Sequence, residues 1–211
     1  MYQTTNFADW KINLEQAKSI VSKLDNYTPN KKDIFKAFKL CDYNNLKVVF
    51  VSQDPYPQPN IATGIAFGCE KEIQPSLEIL KNACIDLSIP HNIVNFDNTL
   101  ESWCKQGVLM LNLALTVEVG KPLSHILYWI KFTTDIIKRI NKEKQNIVYV
   151  LLGQYAKDLI RYIDCKNNLV IVEHHPAYYA RINKNMPNFF KEINNYLKSY
   201  NIPPIKWFEE Y

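Results

Sequence analysis

The chain has 211 residues, of which 47% are hydrophobic and 22% are charged, and its formal net charge at pH 7 is +4. This length and composition fit one globular domain with a substantial core, and no apolar run is long enough to span a membrane. A charge of this size does not separate a nucleic-acid-binding protein from other enzymes.

The N-terminal segment and the cysteines indicate where the protein resides and what it does not bind. Residues 1–8 show neither a secretory signal nor an Arg-rich transit pattern. We therefore expect an intracellular protein, located in the cytoplasm or, in a eukaryote, in the nucleus. The five cysteines are scattered and form no CxxC pair, which favours buried free thiols over structural zinc or disulfides.

Predicted helices alternate with predicted strands along the chain. Apolar residues at helical spacing predict helices over residues 9–24, 32–40, 75–87, 99–105, 128–141, 156–163 and 189–200. Short apolar runs predict strands over residues 47–52, 107–114, 146–153 and 168–173. Because this alternation is typical of parallel sheets, we predict an α/β fold. It is a single domain, residues 1–211, with a central four-stranded, mainly parallel twisted sheet flanked by helices.

The first predicted strand ends abruptly in polar residues and prolines. Val48–Val51 is apolar without alternation, which suits a strand buried on both faces. Pro55 and Pro57 have no backbone donor, so the strand cannot continue through them. Gln53 and Asp54 are left at its carboxyl end, where ligands bind in open α/β sheets. On its own, this stretch fits an ordinary strand-to-turn transition equally well.

The other predicted strands also end in polar residues, at Asn112, Gly153-Gln154 and His174-His175. Parallel strands bring these ends to one edge of the sheet. Each residue alone has a structural explanation, since a lone buried Asn or His more often satisfies the local backbone than binds a ligand. Together they make a candidate site that holds a carboxylate, a carboxamide and an imidazole.

These groups suit the hydrolysis of a glycosidic bond. An aspartate can position a water or stabilise a developing cation, and a neutral histidine can donate a hydrogen bond to a charged leaving group. An asparagine offers a donor and an acceptor together, which suits the edge of a nucleobase. The sequence has no glycine-rich phosphate loop and no metal-ligand cluster, so we expect neither a metal nor a cofactor.

Several motifs, in order, resemble those of the family 1 uracil-DNA glycosylases. Residues 53–56 (Gln-Asp-Pro-Tyr) resemble the water-activating motif of that family, and residues 74–77 resemble its proline-rich, DNA-compressing loop. Residues 107–112 resemble its uracil-reading strand, and His175 falls where the catalytic histidine belongs. The resemblance covers nearly the whole chain from residue 10 onward.

The resemblance implies a metal-free, monofunctional and monomeric uracil-DNA glycosylase. Its substrate would be uracil-containing single- and double-stranded DNA, its product an abasic site, and its role the start of base excision repair. Asp54 would orient the attacking water and stabilise the oxocarbenium-like sugar, and His175 would stabilise the uracil anion that leaves. Asn112 would read the edge of uracil, where cytosine presents the reverse order of donor and acceptor.

The same resemblance assigns further residues to the base pocket and to the DNA. Gln53 would shape the pocket through its backbone, Tyr56 would exclude the methyl group of thymine, and Phe67 would stack on the flipped base. The implied DNA-binding residues are Pro75, Ser76, Gly153, Gln154, Pro176, Tyr178, Tyr179 and Arg181. Inhibitor proteins that mimic DNA are further candidate partners.

The chain departs from the family pattern at three places. Ser52 stands where the family usually has glycine, and Pro57 stands where cellular members usually have histidine. The loop after His175 reads Pro-Ala-Tyr-Tyr-Ala, so that the leucine that enters the DNA as a wedge becomes Tyr179.

Basic residues near the edge of the site predict a surface that tracks phosphates. They are Lys71, Lys121, Lys131, Arg181 and Lys184. The alternative, that each is a solvated loop charge, suits any one of them taken singly.

Two other functions stay open on the sequence alone. Poxviral members of the wider family also serve as subunits of a replication complex, and Pro57 and the altered loop are similar to theirs. A DNA-binding subunit of that kind would have a secondary or lost glycosylase activity. The other alternative is a glycosylase of shifted base preference, although Tyr56 argues against bulky groups at C5 of the base.

Overall fold

The computed structural model describes residues 9–85 and 94–210. The helices are α1 (Leu14–Val21), α2 (Lys36–Leu40), α3 (Pro75–Cys84), α4 (Glu101–Lys105), α5 (Ile126–Glu143), α6 (Gln154–Lys157), α7 (Pro176–Ile182) and α8 (Phe190–Ser199), with a 3-10 helix at Asp158–Tyr162. The strands are β1 (Tyr27–Thr28), β2 (Val48–Ser52), β3 (Val94–Asn95), β4 (Val108–Asn112), β5 (Val117–Glu118), β6 (Val148–Leu152), β7 (Leu169–Glu173) and β8 (Glu209–Glu210).

The central sheet has four parallel strands in the order β4-β2-β6-β7. Every residue of β2, β4 and β6 is buried, because helices cover both faces of these apolar strands. The strand β7 lies at one edge and is only partly buried. This arrangement confirms the predicted α/β fold with its parallel sheet.

Aromatic side chains join the C-terminal segment to the sheet. Phe50 on β2 packs against Trp103 of α4 with ring centroids 6.1 Å apart, and Trp103 packs edge-on against Trp207 at 4.9 Å. The indole N–H of Trp103 donates to the carbonyl oxygen of Trp207 over 2.8 Å. Because buried aromatic rings remove large apolar areas from water, the C-terminal segment is part of the core.

The helix boundaries differ from the predicted ones where polar side chains cap the backbone. Asn13 accepts from the backbone N–H of Gln16 over 3.0 Å, so α1 begins after the start predicted from its apolar spacing. At α4, Thr99 accepts from the backbone N–H of Glu101 over 3.3 Å, and Asp97 accepts from that of Ser102 over 2.8 Å, so the helix begins after the predicted start. The end of the helix predicted over 75–87 lies partly outside the described residues.

The segment after His175 is a helix, not the loop expected from the resemblance. His175 is the N-cap of α7 and Pro176 is its first residue. Proline is favoured there because its fixed φ suits the first turn and the missing N–H would have no helical partner. Two short antiparallel pairs, β1 with β5 and β3 with β8, were also absent from the predicted elements. Each strand has two residues, too few to show a period.

The five cysteines are free thiols. The prediction that they are buried holds for Cys41, Cys69, Cys84 and Cys104 and is wrong for Cys165, which is exposed. Within residues 9–85 and 94–210, no helix combines the length and the apolar character that crossing a membrane requires.

Two glycines at positive φ allow a matched test of the packing around the sheet. Gly107, before β4, has φ of 96°, and a Cβ there would lie 2.1 Å from the carbonyl oxygen of Asn45. Gly120 has φ of 78° and no atom within 4 Å of such a Cβ. We expect Gly120→Ala to lower the free energy of unfolding by about 1–2 kcal/mol, the cost of left-handed backbone. Gly107→Ala should lower it by at least ~3 kcal/mol, because steric overlap is added.

Urea unfolding followed by circular dichroism measures both variants. Equal losses for Gly107→Ala and Gly120→Ala would contradict the tight approach of Asn45 to the start of β4.

Candidate active site

The carboxyl ends of the central strands surround a cavity of about 170 Å³. The predicted site residues among those that line it are Asp54, Tyr56, Phe67, Ser76, Asn112 and His175. Parallel pairing produces this meeting, because Ser52 at the end of β2 lies opposite Asn112 at the end of β4. The groups that the sequence places at separate strand ends therefore share one pocket.

Asp54 lies just past β2 and is held by two donors. Its Oδ2 accepts from the backbone N–H of Leu123 over 2.6 Å, and its Oδ1 accepts from the Gln53 amide over 3.0 Å. Burial raises the pKa of the Asp54 carboxyl above its usual value, and these hydrogen bonds oppose the rise. The result is a fixed, partly desolvated carboxylate that faces the cavity.

Gln53 contributes through its backbone as well. Its carbonyl oxygen accepts from the N–H of Ala114 over 3.0 Å, which continues the pairing of β2 with the chain after β4. The loop that carries Asp54 is thereby tied to the sheet.

Tyr56 and Phe67 form one wall of the cavity. The Tyr56 hydroxyl donates to the carbonyl oxygen of Phe67 over 2.9 Å and accepts from the backbone N–H of Leu77 in α3. Burial raises the pKa of Tyr56, so the hydroxyl stays protonated and can donate. Phe67 has φ of 65°, a left-handed conformation that this bond helps to hold.

Asn112 presents a buried carboxamide to the cavity. The residue is 6% exposed, and its Oδ1 has no hydrogen-bond partner among the described residues. A buried polar atom without a partner is costly. The site therefore fits a ligand that donates a hydrogen bond to Asn112.

His175 is a neutral imidazole with a determined tautomer. Its Nδ1 accepts from the backbone N–H of Ala177 over 3.2 Å, so the ring proton lies on Nε2. Burial, with a smaller contribution from the positive charge of Arg181, lowers the pKa of His175 to about 4. The ring also packs against Phe67, with centroids 5.5 Å apart. His175 is thus a hydrogen-bond donor at neutral pH.

Gly153 lies beneath His175 rather than at the surface of the cavity. It has φ of 91°, and a Cβ at this position would lie 3.2 Å from the Cβ of His175. Only glycine lets the end of β6 approach the histidine so closely. Gln154 is exposed, and its amide donates to Asp158 over 3.3 Å.

The two tyrosines of α7 have different surroundings. Tyr179, the predicted wedge, is 9% exposed, and its hydroxyl donates to Glu173 over 2.7 Å. Tyr178 is 37% exposed and stacks on His174 with centroids 4.5 Å apart. In this conformation Tyr178 is at the surface and Tyr179 is not, because the helix turns the second tyrosine toward β7.

The remaining predicted DNA-binding residues are divided between surface and interior. Pro75, Gln154 and Arg181 are exposed, whereas Ser76 and Pro176 are buried. The five predicted basic residues, Lys71, Lys121, Lys131, Arg181 and Lys184, are all exposed. Two of these lysines form local ion pairs 2.6 Å long, Lys121 with Glu118 and Lys131 with Asp135.

The structure adds two groups that the motifs did not indicate as participants. The backbone N–H of Leu123 holds Asp54, and the hydroxyl oxygen of Ser52 lies 3.2 Å from Nε2 of His175. Ser52 was visible in the sequence only as a departure from the family pattern. In the described part of the chain, no three side chains among His, Cys, Asp and Glu are grouped as metal ligands.

The opposite pKa shifts of two aspartates give a test of the environment of Asp54. The raised pKa of Asp54 means that ionisation is unfavourable in the folded state, so we expect Asp54→Asn to keep or raise the melting temperature at neutral pH. As the pH falls toward the usual pKa of aspartate, the wild-type Asp54 becomes protonated and no longer destabilises the fold. The difference in melting temperature between Asp54→Asn and wild type should therefore shrink.

Asp97 is the matched control. Burial opposes ionisation there, but hydrogen bonds from Thr99 and Ser102 outweigh it and lower the pKa. Asp97→Asn should therefore be less stable than wild type at neutral pH, by an amount that shrinks as the pH falls. The measurement is the melting temperature of both variants across this pH range. The same pH dependence in Asp54→Asn and Asp97→Asn would contradict the opposite pKa shifts of the two carboxyls.

Comparisons with known proteins agree with this fold. The model of the uracil DNA glycosylase superfamily matches residues 38–198. The uracil-DNA glycosylase of Mycoplasmopsis pulmonis is 41% identical over 182 residues, which cover 85% of this chain and 81% of that protein. The enzyme of the same name from Acinetobacter baylyi is 39% identical over 188 residues, covering 85% and 77%.

A solved structure supports the same conclusion. The crystal structure of mimivirus uracil-DNA glycosylase matches 97% of this chain and 82% of its own, with a TM-score of 0.76 and 25% identity. A variant of mimivirus UNG in complex with UGI matches with a TM-score of 0.78, also at 25% identity, covering 92% of this chain and 80% of its own. The chain therefore belongs to the uracil DNA glycosylase superfamily and is a DNA glycosylase.

Proposed function

We propose that this chain hydrolyses the N-glycosidic bond of uracil in DNA and so starts base excision repair. The observation that carries the proposal is one cavity holding a fixed carboxylate, an unpartnered carboxamide oxygen and a neutral imidazole donor, on Asp54, Asn112 and His175. The names of the similar proteins support uracil as the base.

Asn112 is the group that selects the base. Uracil carries a donor at N3 beside an acceptor at O4, and the N3–H can donate to the buried Oδ1 that lacks a partner. The amide nitrogen of Asn112 can then donate to O4. Cytosine has an acceptor at N3 and a donor at C4, so both contacts become unfavourable.

His175 stabilises the leaving group. When the bond between C1′ of the sugar and N1 of uracil breaks, its electron pair stays with uracil and places negative charge on O2. The Nε2–H of His175 donates to this oxygen and does not have to lose its proton. The low pKa of His175 matches this role, because an imidazole that is neutral before the reaction keeps one proton on Nε2.

Asp54 acts on the sugar. Its carboxylate stabilises the positive charge that develops on the sugar ring and positions the water that adds to C1′. The N–H of Leu123 and the amide of Gln53 fix both carboxylate oxygens, so little reorientation is needed during the reaction. The products are free uracil and an abasic site.

The target base must leave the helix stack to enter a cavity of this size, which requires a few kcal/mol. We assign the residue that fills the vacated stack to Tyr178 rather than Tyr179, because Tyr178 is the exposed member of the pair. The exposed Pro75 and Arg181 lie on the neighbouring elements α3 and α7 and would contact the DNA. Inhibitor proteins such as UGI, which binds a variant of mimivirus UNG, would compete for this surface.

The direct test is uracil release from a uracil-containing oligonucleotide by purified protein in the presence of EDTA. We expect release of uracil but not of thymine. Asp54→Asn and His175→Ala should each lower kcat by at least ~100-fold, the usual contribution of such groups. Both should leave the protein folded, since these side chains line a cavity.

Two results would contradict the proposal. Full uracil-release activity of Asp54→Asn would show that the Asp54 carboxylate is not needed for the reaction. DNA binding without any release would favour the role of a DNA-binding subunit over that of an active glycosylase.

The wedge assignment predicts an effect that differs between DNA forms. Tyr178→Ala should lower kcat/KM on double-stranded DNA about tenfold more than on single-stranded DNA, because only a duplex has a stack to refill. Tyr179→Phe, which loses only the bond to Glu173, is the matched control and should affect both forms equally. If Tyr179→Phe instead lowers kcat/KM on double-stranded DNA only, the wedge is Tyr179 and not Tyr178.

A further inference from the structure

Ser52 and His175 form a side-chain pair at the carboxyl end of β2, next to the residues that line the cavity. The hydroxyl oxygen of Ser52 lies 3.2 Å from Nε2 of His175. Ser52 is 1% exposed and ends β2, the strand between β4 and β6. Its carbonyl oxygen accepts from the N–H of Leu113 over 3.0 Å, so its backbone cannot move independently of the sheet.

The direction of this hydrogen bond follows from the other side of the ring. The backbone N–H of Ala177 can only donate, so Nδ1 of His175 must be the acceptor and cannot carry a proton. A neutral imidazole has one proton, which therefore lies on Nε2. Ser52 then accepts from His175, although a hydroxyl can in general act either way.

We propose that Ser52 is a positioning residue for His175: its hydroxyl oxygen holds the Nε2–H donor in place until the base enters and its O2 takes over the bond. This inference rests on the proposed function for its consequence in catalysis. The geometry of the resting pair stands independently of that function.

The pair restrains the imidazole ring against rotation. A half turn about the bond between Cβ and the ring exchanges Nδ1 with Cδ2 and Nε2 with Cε1. Both hydrogen bonds, to Ala177 and to Ser52, would be lost together and carbon would face both partners. Phe67 adds a steric restraint from one side, with ring centroids 5.5 Å apart.

A residue without a hydroxyl at position 52 would lose one of these restraints. In Ser52→Ala the Nε2–H would have only the cavity and its water to donate to, while Ala177 would still define the tautomer. The ring would sample more orientations, and fewer of them would aim Nε2–H at O2. Misaligned donors weaken transition-state stabilisation more than ground-state binding.

Nitrogen-15 NMR of the histidine side chains tests the resting pair directly. The chain has four histidines, so the imidazole spectrum is simple. We expect His175 to show a protonated Nε2 and an unprotonated Nδ1, with an Nε2–H proton that exchanges slowly with water. In Ser52→Ala the tautomer should stay the same, whereas this proton should exchange faster or broaden beyond detection.

His125 provides an internal reference in the same spectra. Its Nδ1 lies 3.0 Å from the hydroxyl oxygen of Thr116, in a second buried pair of histidine and hydroxyl. The His125 signals should not change in Ser52→Ala. Ser52→Cys, which still fills the space of the hydroxyl but is only a weak acceptor, separates loss of the hydrogen bond from loss of packing.

Kinetics test the consequence for catalysis. Ser52→Ala and Ser52→Cys should each lower kcat for uracil release about tenfold, the factor that one ordinary hydrogen bond supplies, with KM unchanged. If Ser52 only fills space, kcat should fall in Ser52→Ala but not in Ser52→Cys, and the Nε2–H signal of His175 should not change in either variant.

Two findings would overturn the inference. One is an unprotonated Nε2 in the wild-type protein. The other is an unchanged Nε2–H signal and kcat in both variants. If the expected NMR change occurs but the wild-type protein releases no uracil, the pair stands and the proposed function fails, so the two failures are distinguishable.

Discussion

The in-register parallel pairing of β2 with its neighbours is the constraint on which the rest of the site depends. It sets Ser52 opposite Asn112, and the pairing continues beyond the strands, where Leu113 and Ala114 donate to the chain that leads to Asp54. On the other side, the N–H of Gly153 donates to Glu173 over 2.8 Å and brings the end of β7 close to β6. A shift of one residue in any of these registers would turn the polar strand ends to the wrong face.

Burial then influences the charge states of Asp54 and His175. It disfavours charge on both, raising the pKa of Asp54 and lowering that of His175. Only Asp54 has donors to its charged form, from Leu123 and Gln53, and these favour the carboxylate. A fixed anion and a neutral donor therefore line the same cavity. Both lie in a region of low dielectric constant, where electrostatic interactions are strong.

The sequence was sufficient for the sheet and for much of the site, because buried parallel strands appear directly as uninterrupted apolar runs. The rule that their carboxyl ends converge then placed Asp54, Asn112 and His175 together. Other features depend on contacts between distant segments and have no local pattern. The burial of Tyr179 in α7 is one, since Tyr179 donates to Glu173 of β7. The bond between Ser52 and His175, 123 positions apart in the chain, is another.

The donor at Leu123 has a consequence for how this site can vary among proteins. The group that holds Asp54 is a main-chain N–H, placed by a backbone φ of 69°, and the leucine side chain takes no part in the bond. Several residue types can therefore supply this contact, provided that they tolerate the left-handed backbone and the loop keeps its shape. The contact can be retained when the side chain at position 123 differs. Searches for functional positions that rely on residue identity alone would overlook one of the two groups that orient the carboxylate.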